Sequence, residues 1–164
     1  MKVWLDGTDA MLSEEAKLLD ANRNERLLRK DGWQFNWRNL FKVESALFYK
    51  LITYDPGEIV QGMLMLSLIN DEMLYLNNVE VAPHNYGGNG LYKNIAGCLL
   101  AYACYKSFEL GRGHYTGFVS FDSKTELIEL YQEKYGATYA IGQKMFFTPE
   151  AGRILIKDYL QLQM

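Results

Sequence analysis

The stretch of residues 76–97, LNNVEVAPHNYGGNGLYKNIAG, constrains the fold of this chain most strongly. Apolar side chains recur between polar ones from just before this stretch into its first part, at Leu74, Leu76, Val79 and Val81. Pro83 ends this pattern because proline has no amide hydrogen to donate to a sheet. A loop rich in glycine and asparagine follows, and a continuous apolar run begins near Ile95. The sequence therefore predicts a strand, a loop and the N-terminus of a helix.

Such a strand–loop–helix unit suits an anion. The first-turn amides of a helix have no partner within the helix, and the helix dipole adds roughly half a positive charge at that end. A phosphate or pyrophosphate group is the expected ligand. An ordinary surface connection between strand and helix fits the loop equally well.

Composition indicates one soluble, cytoplasmic domain spanning residues 1–164. The chain has 164 residues, of which 49% are hydrophobic and 23% charged, enough for a sizeable core. The longest uncharged run, residues 59–70, is far short of the roughly 20 apolar residues that a membrane span needs. No basic-then-apolar signal pattern opens the chain. We therefore expect no association with a membrane.

Charge argues against a nucleic-acid partner. The formal net charge is −3, and the 17 basic residues are scattered. The exception is a group of four on one predicted helix, Arg23, Arg26, Arg29 and Lys30, which fits a solvated helix face. We expect no binding to nucleic acid.

Metal binding is not expected either. Cys98 and Cys104 lie six residues apart in an apolar helix, where they point to different faces and cannot form a disulfide. His84 and His114 have no cysteine or carboxylate at ligand spacing. Both cysteines are interpreted as buried apolar residues.

The N-terminal half predicts a helix followed by an antiparallel meander. Residues 2–5 suit a brief edge strand. Residues 13–30 read as a helix, capped by Ser13 and ended by Asp31-Gly32. The aromatic segment 33–41 is either core or the wall of a pocket. Strands are predicted at residues 44–54, 58–69 and 73–82, the first two joined by a turn at Asp55-Pro56-Gly57.

The C-terminal half predicts a crossover to a parallel strand. An apolar helix at residues 95–110 leads to a strand at 115–121, and strand–helix–strand units of this kind run parallel and right-handed. A capping box at residues 123–126 opens a helix ending at Gly136. A hairpin at 138–147, with Gly142 in a type II′ turn, and a last helix at 148–160 complete the chain. The fold class is therefore mixed α/β: an antiparallel meander, a central parallel crossover, and helices on both faces.

Three stretches carry a resemblance to a known family: the segment NNVEVAPHN…LYKNIAGCLLAYA, the strand GFVSF and the helix ELIELYQEKYGA. With them, residues 44–148 resemble the GNAT superfamily of acyl-CoA N-acyltransferases, and the last stretch is similar to the family's Leu-Tyr-x-x-x-x-Gly helix. It implies the GNAT fold, acetyl-CoA as co-substrate, and direct attack of a primary amine on the thioester. The acceptor is then a small molecule or a peptide amine, and a homodimer is left open.

The family's pyrophosphate loop, Gln/Arg-x-x-Gly-x-Gly/Ala, fits here in two registers. One uses Asn85, Gly88 and Gly90, and the other uses Leu91, Asn94 and Ala96. The second gives a helix of about 16 residues, roughly 24 Å, which better matches a seven-residue strand. There Asn94 replaces a glycine through its tolerance of left-handed backbone. The cofactor-binding residues that the resemblance implies are Val79, Val81, Gly88, Gly90, Tyr92, Lys93, Asn94, Ile95, Ala96, Gly97 and Lys124.

Two catalytic residues follow from the same resemblance. Tyr131 occupies the position of the family's tyrosine, which protonates the leaving thiolate. The family's usual carboxylate before Val81 is absent, so Glu80 is the nearest candidate base, although a solvated or salt-bridged glutamate fits equally well. The altered loop and the missing carboxylate also allow a different class of protein, a non-catalytic sensor or interaction module that binds acyl-CoA.

Overall fold

The computed structural model describes residues 1–7, 13–54, 57–87 and 90–163. Its strands are β1 (Lys2–Asp6), β2 (Ser13–Asp20), β3 (Leu47–Thr53), β4 (Ile59–Ile69), β5 (Met73–Val81), β6 (Val119–Asp122), β7 (Thr138–Ile141) and β8 (Lys144–Phe147). Its helices are α1 (Trp37–Leu40), α2 (Ile95–Leu110), α3 (Ile128–Tyr135) and α4 (Pro149–Leu155), the last continued by a π-helical turn, Ile156–Leu160. The turn predicted at Asp55-Pro56-Gly57 falls partly outside the described residues.

The strands form one mixed sheet in the order β1-β2-β3-β4-β5-β6-β8-β7. β5 and β6 run parallel, joined through α2, whereas β6 pairs with β8 and β8 with β7 in antiparallel fashion. This order confirms the predicted mixed α/β class and the central parallel crossover. α2 begins and ends at the predicted residues.

The predicted helix at residues 13–30 is wrong. The structure has strand β2 there, paired antiparallel with β1 through Val3↔Ala16 and on its other side with β3. Ala16 and Leu18 are buried between partly exposed neighbours, which is the two-residue period of a strand. Pairing with two neighbouring strands thus outweighs the helix-start signal at Ser13.

Two smaller predictions also change. The parallel strand is shorter than residues 115–121, because a 3₁₀ turn occupies Gly113–Tyr115. The capping box at residues 123–126 does not form: the Ser123 hydroxyl donates to the Lys124 carbonyl at 2.8 Å, and another 3₁₀ turn precedes α3. Gly142 has the positive φ, 63°, that a type II′ turn needs at its first position.

The described chain divides into two compact units. The first comprises Met1–Met65 and Asn78–Leu99, and the second Leu66–Asn77 and Leu100–Met164. In the first unit the aromatic segment 33–41 is core, with Trp33, Trp37 and Phe41 buried beside Phe48. Arg23 closes this core: its guanidinium donates to the carbonyls of Phe41, Val43, Glu44 and Ala46.

In the second unit alternate residues of the strands build the core. Leu74, Val119 and Phe147 are neighbours in the ladders and all are buried, as are Phe121 and Leu155. Within the described residues, no helix is long and apolar enough to cross a membrane.

Candidate functional site

The loop before α2 is tied to the free edge of β1. The Lys93 amide donates to the Asp6 carbonyl at 3.0 Å, and Tyr92 forms a bridge with Gly7. The side chain of Asn94 binds the same edge: Oδ1 accepts from the Asp6 amide at 2.8 Å, and Nδ2 donates to the Trp4 carbonyl at 2.9 Å. A carboxamide carries one acceptor and one donor, so it pairs with a strand edge as another strand would.

These contacts correct the predicted role of Asn94. Among the described non-glycine residues, a positive φ occurs at Asn70, Asp71 and Gln161, so Asn94 does not replace a glycine in left-handed backbone. Its carbonyl accepts from the Cys98 amide at 3.1 Å, which makes it the last residue before α2. Because both side-chain polar atoms bind β1, this side chain does not occupy the first-turn amides of α2.

The preceding turn is folded against Asn85. Asn85 Oδ1 accepts from the Tyr92 amide at 3.1 Å, and Nδ2 donates to Gln61 Oε1 at 2.7 Å. A Cβ at Gly90 would lie 2.6 Å from the Asn85 carbonyl carbon, so only glycine fits there. Packing within the loop therefore accounts for Gly90. Gly88 lies outside the described residues.

Glu80 is a buried anchor. Its Oε1 accepts from the Trp37 indole at 2.8 Å and from the Phe35 amide at 3.3 Å. Its Oε2 accepts from the Gln34 amide at 2.6 Å and from the Tyr86 hydroxyl at 2.8 Å. Each oxygen thus accepts two hydrogen bonds, and these contacts favour a positioning role over that of a base. The use of Glu80 as a base stays a prediction.

Tyr131 lies on α3 in the second unit. Its ring centroid is 5.0 Å from that of Phe121 and 6.1 Å from that of Tyr135. Burial raises the pKa of Tyr131, and the neighbouring Tyr135 adds to the rise. The phenol is therefore protonated at neutral pH, as a proton donor must be.

The other predicted cofactor residues lie on β5, in the loop before α2, at the start of α2 and before α3. The parallel ladder of β5 and β6 consists of Leu74↔Val119 and Tyr75↔Ser120, although β5 continues to Val81. Val79 and Val81 are half-buried near its end. Lys93 and Lys124 are exposed, and the start of α2 at Ile95, Ala96 and Gly97 is buried or half-buried.

Asp6 and Gln61 shape the loop but were not predicted to do so, and Asn85 was named only in the register of the pyrophosphate loop that was not favoured. Asp6 pairs with Asn94 across 88 residues and Gln61 with Asn85 across 24, and no local pattern carries such a pairing. The only signal was the surplus of asparagines around the loop, since asparagine can imitate backbone groups.

Cys98 and Cys104 are both buried. Burial raises the pKa of the Cys98 thiol to about 12 and also raises that of Cys104. No group of three or more histidine, cysteine, aspartate or glutamate residues lies together among the described residues.

Comparisons with known proteins identify the fold. No protein-family model matches the sequence, and no curated protein matches it. Among solved structures, the KacTA–DNA complex is similar with a TM-score of 0.63 and 10% identity, over 87% of this chain and 99% of that chain. AtaTR bound with acetyl-CoA is similar with a TM-score of 0.59 and 13% identity, over 86% of this chain and 98% of that chain. The spermidine/spermine N-acetyltransferase SpeG from Vibrio cholerae is similar with a TM-score of 0.55 and 15% identity, over 82% and 95%.

One expectation from the sequence is wrong. Nucleic acid was excluded as a partner on the ground of scattered basic residues and a net charge of −3. The similar structures, however, include complexes that contain DNA. Charge therefore gives no ground for that exclusion in a protein of this shape. The structural likeness extends over more than four fifths of the chain, and the protein has the GNAT fold.

Proposed function

We propose that this protein transfers an acetyl group from acetyl-CoA to a primary amine. The observation that carries the proposal is the short parallel ladder of β5 and β6 in a chain of the GNAT fold. Beyond Tyr75 the backbone groups of β5 on that side have no ladder partner in β6, so an extended ligand can pair with them as an added strand. The pantetheine arm of acetyl-CoA is such a ligand, and we assign Val79 and Val81 to it.

The pyrophosphate is assigned to the loop and the start of α2. Lys93 supplies a positive charge, and the amides of Ile95, Ala96 and Gly97 belong to the first turn, where the helix dipole favours an anion. Asn94 supports this assignment because both polar atoms of its side chain bind β1 and so do not occupy the first-turn amides of α2. The loop is then positioned before the ligand arrives, which lowers the entropy lost on binding. Gly88, Gly90, Tyr92 and Lys124 remain predicted contacts.

In the proposed reaction the amine attacks the thioester carbon, the C–S bond breaks, and Tyr131 protonates the thiolate. Replacing Tyr131 by phenylalanine should lower kcat by about 10²-fold or more, the usual scale for losing a positioned proton donor. Because the pKa of Tyr131 is raised, its donor form persists above pH 10, and the parent should show no loss of kcat from this group below that pH. Initial rates of CoA release, measured with an accepted amine from pH 6 to 10, test both points.

Tyr139→Phe is the matched control, since it removes a hydroxyl from an exposed tyrosine of the same unit. It should retain the parent's kcat. Equal kcat for the Tyr131→Phe variant and the parent would remove Tyr131 from the mechanism.

The similar toxin and antitoxin structures support a second candidate, in which the protein works with a protein partner. AtaT is described as a toxin bound to the C-terminus of its antitoxin AtaR. If this chain acts in the same way, expression alone should arrest growth, and Tyr131→Phe should relieve the arrest. A sensor that only binds acyl-CoA would instead show a thermal shift with acetyl-CoA and no amine-dependent CoA release.

A further inference from the structure

An open cavity of about 410 Å³ lies on one face of the sheet in the second unit. Tyr75 and Ser120 are partners in the parallel ladder, and Ser120 is the partner of Phe146 in the next. Ladder partners point to the same side of a sheet, so these three side chains share the face that holds the cavity. The buried side chains of the core occupy the opposite face.

The walls of the cavity are mostly aromatic. Phe118 and Phe146 have ring centroids 6.4 Å apart at an interplanar angle of 44°, and Met73 and Tyr115 also line the space. Tyr115 is 43% exposed, so apolar surface is left open to a ligand. The volume is at the small end of the range of roughly 300–1,000 Å³ for ligand pockets, which suits a molecule with one ring.

One fixed negative charge lies at the end of this cavity. The Tyr75 hydroxyl donates to Asp122 Oδ2 at 2.6 Å. Burial, this hydrogen bond and the charge of Asp122 raise the pKa of Tyr75 to about 12, so the phenol remains a donor. Asp122 Oδ1 makes no hydrogen bond or ion pair with the described residues. Asp122 therefore offers a held carboxylate with one oxygen available.

Other polar groups line the space, among them Ser120, Lys144 and the exposed His114. The Ser120 hydroxyl oxygen is buried and has no hydrogen-bond partner among the described residues. Lys144 is opposite Asp122 in the ladder of β6 and β8, yet within the described chain it forms no ion pair. Its side chain is exposed and long enough to extend into water, whereas Asp122 is held by Tyr75. The fixed charge that a ligand meets is therefore negative.

The predicted proton donor lies on the other side of β6. Phe121 is between Ser120 and Asp122, so its side chain points to the opposite face of the sheet, where its ring is 5.0 Å from that of Tyr131. The backbone of β6 thus separates the cavity from the ring of Tyr131.

We propose that this cavity binds the acceptor, and that the acceptor is a primary amine on a short linker from an aromatic ring. The ring packs against Phe118 and Phe146, and the ammonium group binds Asp122. This inference rests on the proposed acetyl transfer. The ammonium loses one proton before attack and the nitrogen loses a second as the amide forms. Tyr131 gives its own proton to the thiolate and is restored by one of these protons, and water takes up the other, so no further reactant is needed.

Binding to the purified protein tests the site without requiring catalysis. Calorimetric titration with 2-phenylethylamine should give a dissociation constant at least 10-fold lower than with 2-phenylethanol, which lacks the charge, or 1,4-diaminobutane, which lacks the ring. In the Asp122→Asn variant, the dissociation constants of 2-phenylethylamine and 2-phenylethanol should differ by no more than about 2-fold. Glu133→Gln removes the same charge from an exposed position of α3 and should leave the difference intact.

A second variant tests the wall. Phe118→Leu should raise the dissociation constant of 2-phenylethylamine about 5-fold or more and leave that of 1,4-diaminobutane unchanged. Circular dichroism checks that the variant is folded. Equal binding of amine and alcohol to the parent would overturn the inference. So would tighter binding of 3-phenylpropionate, whose charge is opposite.

Turnover separates this inference from the proposed function. With acetyl-CoA present, 2-phenylethylamine should be acetylated with a kcat/KM at least 10-fold above that of 1,4-diaminobutane. Acetylation of 1,4-diaminobutane in preference would overturn the inference while supporting acetyl transfer. Charge-dependent binding of 2-phenylethylamine without acetylation of any amine would support the site and reject the proposed function.

Discussion

Glu80 illustrates how one side chain can be read in two ways. In the sequence it is a carboxylate beside a loop suited to an anion, which suggests a base. In the structure four donors from residues 34–37 and Tyr86 surround it, and it is buried. Its position along the chain was informative, but its partners lie more than 40 residues away for three of the four bonds. No local sequence pattern contains that information.

Replacing Glu80 by glutamine should therefore lower stability more than it changes chemistry. The new NH₂ group would face backbone and indole donors, and leaving buried donors unpaired costs about 1–3 kcal/mol. Urea unfolding measures the loss. Glu72→Gln, at an exposed position, is the control and should unfold like the parent.

The pH dependence of the same variant distinguishes the two roles. An anchor leaves the shape of the pH–rate profile unchanged for the folded fraction. Disappearance of its acidic limb would instead identify Glu80 as the base.

The elements divide into those that local pattern determines and those that pairing determines. α2 was predicted to the residue because its apolar run is continuous and glycine follows it. β2 was predicted as a helix because Ser13 and the acidic residues after it imitate a helix start. Its strand conformation comes from β1 and β3 on either side, which a local window does not contain.

The link between β1 and the loop before α2 can be tested by one substitution. Asn94→Ala removes two hydrogen bonds to β1 and should cost about 1–3 kcal/mol, at the usual net value per bond. The Asp6 amide should then exchange with solvent at least 10-fold faster, measured by hydrogen–deuterium exchange. Asn24→Ala, at an exposed position, should leave that amide protected. An unchanged Asp6 exchange rate in Asn94→Ala would contradict the link.

For the molecule as a whole, the order of elements predicted the fold class better than any motif did. The resemblance to GNAT acyltransferases held at the level of the fold, in a comparison where identity is only 10–15%. The cavity beside Asp122 was not predicted, since it is formed by β4 to β8 together, and pairing across a sheet is not visible in periodicity. The exclusion of nucleic acid failed because net charge describes a whole surface and not a partner.

Acetyl-CoA should stabilise the entire protein. A ligand that binds only the folded state adds about 2.7 kcal/mol to the free energy of unfolding when its free concentration is 100 times its dissociation constant. Thermal unfolding with and without acetyl-CoA measures this gain. S-acetylpantetheine, which lacks the pyrophosphate, should give a clearly smaller shift at the same concentration. Equal shifts for the two compounds would remove the loop and α2 from phosphate binding.

The attachment of Lys93 and Asn94 to β1 has a consequence for solubility. β1 is the outermost strand, and its outward groups at Trp4 and Asp6 would otherwise be a template for another chain to add on. The loop assigned to the cofactor thus also protects an edge of the sheet. A change that loosens this loop would be expected to promote aggregation through intermolecular strand pairing, even where the rest of the molecule stays folded.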